Sequence, residues 1–367
     1  MTVGPEPTLV RTPGDLSPAW LAAVLSGTGA LEVGGTVSSL SVTPVGTGQM
    51  GDTVRVTYTT GPGSGGQQSL IAKFASADER SRATGLMTRA YEIEVGFYRE
   101  VAHRIRTRRP DCHYGWCDPE TGWFVLLLED VVDAVQGEQL AGCDVRVAGS
   151  SLVELAALHG PVWCDPEVAG LDWLQRGGPV ADEFLAGLVT SLWPGFVERY
   201  GDRLEAGHLE VCDRLMGVLG PWLAARPAPT TVTHGDFRLD NLLFRPGDPR
   251  PVVVDWQTAA WGAPASDVAY FLGGSLSVED RRLHADALVR VYHEALVDHG
   301  VGRYGLAQLE EDVRRLCFGG LVMSVGAAML VKRTERGDDM FVTSVARYAQ
   351  QAIDLDAVAT LPGAARA

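Results

Sequence analysis

The chain has 367 residues, of which 46% are hydrophobic and 21% charged, a composition typical of a soluble globular protein with room for two lobes. Its 46 acidic residues outnumber its 31 basic ones and give a net charge of −15. This charge argues against general nucleic-acid binding and gives no reason to expect attraction to an anionic membrane. Six scattered cysteines without a CxxC pair, and an N-terminus without a basic start and apolar core, favour a cytoplasmic protein.

Residues 1–128 are predicted to form an N-terminal lobe of mainly antiparallel sheet with one long helix. Ser17 and Pro18 open a short first helix as its N-cap and first helical residue. Apolar residues recur at intervals of three or four from Leu86 to Ile105, which predicts a helix with one buried face. β-branched and alternating residues predict strands at 39–44, 53–59, 69–74, 114–116 and 123–128.

The second lobe, 133–367, has a mainly helical pattern, and a hinge at 129–132 would connect it to the first. Helices are predicted at 148–160, 181–200, 205–225, 278–298, 305–332 and 339–355. The apolar run Gly319–Val331 is about 13 residues long, too short to span a membrane, and is expected to be a core helix. Sheet first and helices afterwards is an α+β order.

The most informative segment, 231–255, reads TVTHGDFRLDNLLFRPGDPRPVVVD. Two apolar runs, 241–244 and 251–254, flank the turn RPGDPR and predict a short hairpin. That hairpin would fold Asp255 back beside the loop that contains Asp236.

The spacing HxDxxxxN predicts chemistry in this loop. Asp236 can accept a proton from a hydroxyl, and the Asn241 amide oxygen with the Asp255 carboxylate can hold a divalent cation such as Mg²⁺. These are the parts that a phosphoryl-transfer enzyme needs. His234 is expected to organise the loop by hydrogen bonds.

The segments HGDFRLDNLLF, VVVDWQ and GAPASDVAYFL together resemble the aminoglycoside-phosphotransferase and choline/ecdysteroid-kinase group. These are small-molecule kinases with a bilobal, protein-kinase-like fold, and the resemblance covers about residues 35–355. It implies ATP and Mg²⁺, with Asp236 as catalytic aspartate and Asn241 and Asp255 as magnesium ligands. It also implies that Asp267 braces the loop.

Arg238 lies where protein kinases often have a lysine near the transferred phosphate. That position makes it a candidate catalytic residue, while a plain surface arginine is the alternative.

A lysine on an apolar strand needs a partner, and Lys73 lies near the end of the strand LIAKF. The resemblance implies that Lys73 contacts the α- and β-phosphates of ATP and pairs with a glutamate of the following helix. Glu94 fits the family pattern, while Glu92 and Glu100 are rivals because the phase of the helix cannot be fixed.

Two further segments are candidates for nucleotide binding. Glycines in VGTGQMGD would let backbone N–H groups approach phosphates, and the hinge would bond the adenine edge. The candidate residues are Gly46, Gly48, Gly51, Leu128, Glu129 and Val131.

The leading hypothesis is an ATP-dependent phosphotransferase that acts on a small-molecule alcohol and uses no nucleic-acid or membrane partner. A regulatory nucleotide-binding pseudokinase and a metal-dependent phosphoesterase are the alternatives. The acceptor stays open between an antibiotic and a lipid-like, steroid-like or choline-like alcohol, and the chain could be a monomer or a homodimer. His159 has no metal-ligand spacing and is expected to be a structural or surface residue.

Overall fold

The computed structural model describes residues 9–32, 34–45, 51–61, 66–174, 178–225, 227–331 and 333–363. The chain divides into two compact units. Unit 1 comprises Met1–His103, Arg109–Val132 and Asp255–Thr258. Unit 2 comprises Arg104–Arg108, Asp133–Val254 and Ala259–Ala367.

Unit 1 is built on a five-stranded antiparallel sheet with the strand order β1-β2-β3-β5-β4. The strands are β1 Val37–Pro44, β2 Gly51–Thr60, β3 Gln68–Ala75, β4 Cys112–Cys117 and β5 Phe124–Glu129. Alternate residues of β2, including Val54 and Val56, are buried because one face of the sheet covers the core. Helix α1, Pro18–Thr28, packs its Leu21 and Leu25 into the same core.

The predicted helix from Leu86 to Ile105 is wrong in its extent. The structure has α2 at Glu79–Met87, α3 at Ala90–Gly96 and then a π-helical turn at Phe97–Val101. Arg89 separates α2 from α3 with a φ of 57°, a left-handed conformation that an α-helix cannot continue through. The break therefore sets the phase of α3.

Unit 2 is mainly helical, which confirms the expected α+β class. Two predicted helices, 205–225 and 305–332, are each broken in two, at Gly217–Val218 and at Cys317–Phe318. The helices are α4 Val145–His159, α5 Pro166–Ala169, α6 Pro179–Tyr200, α7 Ala206–Met216, α8 Leu219–Ala224, α9 Pro264–Ser275, α10 Val278–Asp298, α11 Leu306–Leu316, α12 Gly319–Leu330 and α13 Glu335–Asp354.

Two small sheets in unit 2 carry the informative segment. The expected hairpin is present: β8, Leu242–Phe244, pairs antiparallel with β9, Val252–Val253. The two-residue strand β6, Val135–Gln136, joins it on the other side of β8 and was not predicted. The second sheet pairs β7, Thr231–Thr233, with β10, Ala260–Gly262.

Among the described residues, one stretch, Leu306–Leu330, is long and apolar enough to cross a membrane by length and composition. Of its most apolar window, 56% is buried within the protein, and Leu321 and Val325 are fully buried. Core helices of soluble proteins meet the same criterion, so this stretch is weak support for a membrane span.

Candidate active site

The loop after β7 is held at its start by a buried carboxylate. Asp267, in the first turn of α9, accepts hydrogen bonds from the backbone N–H groups of His234 (2.6 Å) and Gly235 (2.9 Å). Gly235 has a φ of 79°, in the left-handed region that favours glycine. The expected bracing role of Asp267 is therefore present in the structure.

The fully buried His234 ties the loop to the hairpin. Its Nδ1 atom accepts a hydrogen bond from the Asp236 N–H at 3.3 Å, so its Nε2–H donates to the Val254 carbonyl at 3.1 Å. Both ring nitrogens are thus used in organising the backbone, as the sequence predicted.

His159 lies behind the loop, on the far side of Asp267. Its Nε2 atom is 3.2 Å from Asp267 Oδ2, and its Nδ1 atom is 2.6 Å from the Tyr292 hydroxyl. Since the carboxylate can only accept, His159 donates to Asp267 and accepts from Tyr292. This buried chain of hydrogen bonds orients the brace, which agrees with the structural role expected of His159.

Asp236 is the most heavily hydrogen-bonded side chain of the loop. Its Oδ1 atom accepts from the Tyr270 hydroxyl at 2.7 Å. Its Oδ2 atom accepts from Arg238 Nε at 3.1 Å and from Asn241 Nδ2 at 2.9 Å. The side chain is 18% exposed. A carboxylate fixed in this way can accept a proton from a hydroxyl presented to its remaining lone pair.

Arg238 is part of this cluster and is not a freely solvated surface arginine. Besides Asp236, its Nη1 atom contacts Asp240 Oδ2 at 2.6 Å and Met340 Sδ at 3.7 Å. Burial opposes the charge on Arg238, but the Asp236 and Asp240 carboxylates outweigh it and raise its pKa. Arg238 is therefore charged throughout the physiological pH range.

The Asn241 side-chain amide is held in one orientation by two hydrogen bonds. Its Nδ2 atom donates to the Asp236 carbonyl and to Asp236 Oδ2, both at 2.9 Å. The amide oxygen Oδ1 is thereby fixed as the opposite end of the group and is a hard ligand suited to Mg²⁺. The Asn241 carbonyl accepts from the Val254 N–H at 3.0 Å, and Asp255 is the next residue in the chain.

The described residues contain no group of three or more His, Cys, Asp or Glu side chains placed to hold a metal ion. A magnesium ion bound through one or two protein groups and nucleotide phosphates does not require such a group. The Asn241 amide oxygen and the Asp255 carboxylate are each oxygen donors of the type that Mg²⁺ prefers.

In unit 1, Lys73 is paired with Glu94, as the family pattern implied. Lys73 Nζ lies 2.7 and 2.9 Å from the two Glu94 oxygens and 3.0 Å from Asp255 Oδ1. The rival Glu92 instead bonds Arg89 at 2.8 Å. Burial disfavours the ammonium ion, but Asp255 and Glu94 outweigh it and raise the pKa of Lys73.

The segment after Asp255 is anchored by aromatic stacking. The fully buried Trp256 lies against Phe97, with ring centroids 3.8 Å apart and an interplanar angle of 9°. Asp255 has a φ of 68°, and its Oδ2 atom accepts from Gln257 Nε2 at 3.2 Å. The π-helical turn that carries Phe97 thus helps to hold the segment that contains Asp255.

The other nucleotide-binding candidates have different outcomes. Gly46 and Gly48 lie outside the described residues. Gly51 begins β2, and a Cβ atom there would lie 2.6 Å from the Phe74 carbonyl oxygen, so the position needs glycine for a close backbone approach.

The three hinge candidates lie at and just after the end of β5. Leu128 and Val131 are buried and Glu129 is partly exposed. The neighbouring Asp130 pairs with Arg55 at 2.6 Å. Unit 1 thus fixes this part of the backbone by an ion pair.

Two groups of loop contacts were not predicted from the sequence. Gln139 accepts from the Leu239 N–H at 2.9 Å and donates its own N–H to Asp240 Oδ1 at 3.1 Å. Tyr270 lies three residues after Asp267, which places both on one face of α9. That helical spacing was a usable signal for Tyr270, whereas Gln139 lies about 100 residues before the loop with no local pattern.

Solved structures with this fold include a protein from Ralstonia eutropha JMP134 provisionally assigned as an aminoglycoside phosphotransferase, with a TM-score of 0.57, 18% identity and coverage of 93% of this chain and 98% of that one. A Plasmodium vivax ethanolamine kinase matches with a TM-score of 0.50, 12% identity and coverage of 89% and 86%. Wild-type aminoglycoside 2'-phosphotransferase-IIIa in its GDP complex matches with a TM-score of 0.50, 13% identity and coverage of 92% and 99%. At these identities the matches show the fold, which is protein-kinase-like as expected.

Curated relatives match over shorter stretches. Acyl-CoA dehydrogenase family member 11 of Gallus gallus is 40% identical over 156 residues, which cover 36% of this chain and 20% of the relative. Acyl-CoA dehydrogenase family member 10 of Mus musculus is 42% identical over 67 residues, covering 18% and 6%. The chain therefore spans a fifth or less of the length of these relatives.

A family model described as "Phosphotransferase enzyme family" matches residues 41–305. The match runs from β1 of unit 1 to the residues just before α11 and includes the whole loop described above. It covers well over half of the chain, and the chain belongs to the phosphotransferase enzyme family.

Proposed function

We propose that this protein transfers the γ-phosphoryl group of ATP to a hydroxyl group of a small molecule. The observation that carries the proposal is the arrangement of Asp236 and Asn241, joined at 2.9 Å within a loop braced by Asp267. Family membership supports a phosphotransferase that acts on small molecules. The donor nucleotide, the metal and the base are the proposed part.

The proposed reaction is a direct in-line transfer. The acceptor hydroxyl oxygen forms a bond to the γ-phosphorus while the bond from that phosphorus to the β–γ bridging oxygen breaks, and ADP leaves with the bonding electron pair. The hydroxyl proton passes to the Asp236 carboxylate. No covalent intermediate on the protein is required.

Asn241 and Asp255 are the proposed magnesium ligands. When bound, Mg²⁺ offsets the negative charge of the phosphates that the acceptor oxygen must approach. The fixed orientation of the Asn241 amide supports this assignment, because the atom left to face a cation is its oxygen.

Lys73 is the proposed contact to the α- and β-phosphates. Its pairing with Glu94 at 2.7 Å supports this role, because the glutamate holds the ammonium group in one place. The neighbour with this fold that is solved with GDP supports nucleotide binding. The regulatory pseudokinase alternative has no comparable support, because Lys73, Asp236, Asn241 and Asp255 are all present.

An ATP-consumption screen over hydroxylated compounds tests the proposal. The panel should contain aminoglycosides, macrolides, choline, ethanolamine, steroid alcohols and lipid-like alcohols. Asp236→Asn should lower kcat by about 10²- to 10⁴-fold for any acceptor found, because the base is lost. Nucleotide binding should be retained.

The matched control is Asp248→Asn. Asp248 lies in the hairpin turn, where it pairs with Arg108 at 2.5 Å, and it has no proposed catalytic role. This control should keep the wild-type rate. An Asp236→Asn protein that phosphorylates an acceptor at the wild-type rate would show that Asp236 is not the base.

A further inference from the structure

We propose that Tyr270 is a positioning residue that selects Asp236 Oδ1 as the atom that receives the acceptor's proton. This inference rests on the proposed function and concerns the same site. It assigns a role to a tyrosine that lies 34 residues beyond the loop it serves.

The two oxygens of the Asp236 carboxylate are not equivalent. Within the described part of the chain, Oδ2 accepts two hydrogen bonds, from Arg238 and Asn241, and Oδ1 accepts one, from Tyr270 at 2.7 Å. A carboxylate oxygen has two lone-pair sites. The Oδ2 sites are thus filled, and Oδ1 keeps one site for the acceptor hydroxyl.

The Tyr270 hydroxyl is suited to hold the carboxylate without taking the proton itself. A phenol that donates to the carboxylate fixes its rotation about the bond to Cβ. Burial raises the pKa of Tyr270 well above its ordinary value, and the adjacent Asp236 charge raises it further. Tyr270 therefore stays protonated and remains a donor.

Tyr270 is itself supported by a second tyrosine. The Tyr348 ring, from α13, stacks on it with centroids 5.4 Å apart and an interplanar angle of 28°. The Tyr348 hydroxyl donates to the Tyr270 carbonyl at 3.1 Å.

Glycines on two helices make room for this support. A Cβ atom at Gly273 of α9 would lie 2.6 Å from the Tyr348 ring, and one at Gly320 of α12 would lie 2.3 Å from it. The glycines of α9 and α12 thus leave space for the Tyr348 ring, which stacks on Tyr270. This close packing indicates that Tyr348 holds Tyr270 in place.

The test is Tyr270→Phe, assayed with the best acceptor from the screen. We expect kcat to fall about tenfold, the effect of losing one hydrogen bond to a charged group, with the KM for ATP unchanged. A merely structural role would disturb the fold of the loop and raise the KM for ATP as well. A fall in kcat with an unchanged KM therefore separates positioning of the carboxylate from a structural role.

The matched control is Tyr304→Phe. Tyr304 is also buried in unit 2 and donates to a carboxylate, Asp312, at 2.8 Å. The Tyr304→Phe substitution removes the same kind of bond away from Asp236 and should leave kcat and the KM for ATP unchanged. A Tyr270→Phe protein with wild-type kcat would overturn the inference.

Two further variants keep the test decisive. If Tyr270→Phe does not fold, Tyr348→Phe replaces it: losing the bond to the Tyr270 carbonyl should lower kcat without changing the KM for ATP, and an unchanged kcat overturns the inference. If Asp236→Asn retains full activity, the proposed function itself fails. If Asp236→Asn is inactive while Tyr270→Phe is normal, only the positioning role fails.

Discussion

Asp236 receives its hydrogen bonds from residues at very different distances along the sequence. Arg238 and Asn241 lie two and five residues away, so a short local pattern was enough to predict that the three belong together. Tyr270 lies 34 residues away and reaches the carboxylate only because α9 packs behind the loop. Local spacing thus predicts the centre of the site, and tertiary packing supplies the rest.

The glutamate that pairs with Lys73 could not be chosen from the sequence. Glu92 and Glu94 both lie in α3, and a shift in helix phase would exchange buried for exposed positions. Arg89, in its left-handed conformation, fixes the phase and leaves Glu94 2% exposed. The choice between Glu92 and Glu94 as the partner of Lys73 therefore depended on a backbone conformation that the sequence pattern does not predict.

Glu94→Gln tests the importance of this pair at the level of one residue. Breaking a largely buried ion pair should lower the free energy of unfolding by about 3 kcal/mol. Because Lys73 would be less well held, the KM for ATP should rise roughly tenfold. Chemical denaturation and steady-state kinetics measure the two effects.

The control for this variant is Glu92→Gln. Its partner, Arg89, is 40% exposed, so the free energy of unfolding should change by less than about 1 kcal/mol. The KM for ATP should be unchanged. Equal effects of the two substitutions on this KM would contradict the assignment of Glu94.

At the scale of elements, the helices were predicted better than their interruptions. The helix at 278–298 has the same limits as the observed α10. The predicted helix 305–332 is broken at Cys317–Phe318. The sequence pattern did not predict this break, because apolar residues keep a helical spacing on both sides of it. Periodicity reports which residues face the core, and it does not report a change in the direction of the axis.

The close packing of α12 against Tyr348 gives a prediction at this scale. In Gly320→Ala the new Cβ atom would lie 2.3 Å from the buried Tyr348 ring, which must shift. Overpacking of this kind should lower the free energy of unfolding by about 1–3 kcal/mol. Thermal or denaturant unfolding measures the change.

Gly326→Ala is the matched substitution in the same helix. Its Cβ atom would meet Val189 at 3.9 Å, an ordinary contact. Since alanine favours a helix over glycine, the variant should be unchanged or up to about 1 kcal/mol more stable. If both substitutions lowered the free energy of unfolding equally, the conclusion that Gly320 leaves space for the Tyr348 ring would be contradicted.

For the whole molecule, sequence reasoning identified the α+β class and the family, and it left the acceptor open. The family-specific residues lie in the loop at 234–241 and the segment after β9, where chemistry restricts the residue types. We expect the side chains that choose an acceptor to lie on helices after residue 140, whose residue types are restricted mainly by burial. Packing alone carries little information about a ligand. The acceptor must therefore be identified experimentally, by the ATP-consumption screen over hydroxylated compounds.

Binding of the nucleotide should also stabilise the whole molecule. ATP with Mg²⁺ at about 100 times its Kd should add roughly 2.7 kcal/mol to the free energy of unfolding, since it binds only the folded state. A thermal-shift assay measures this change, and Asp248→Asn should respond like the wild type. No shift at saturating nucleotide would contradict binding to the folded chain.

Calorimetric titration of the purified protein with ATP, in excess Mg²⁺ and again in EDTA, tests whether this chain binds a magnesium–nucleotide complex. We predict one site per chain in Mg²⁺ and affinity at least about tenfold weaker in EDTA, with a similar loss for Asn241→Ala and Asp255→Ala in Mg²⁺. An absence of binding in Mg²⁺, or equal affinity with and without the metal, would contradict the account.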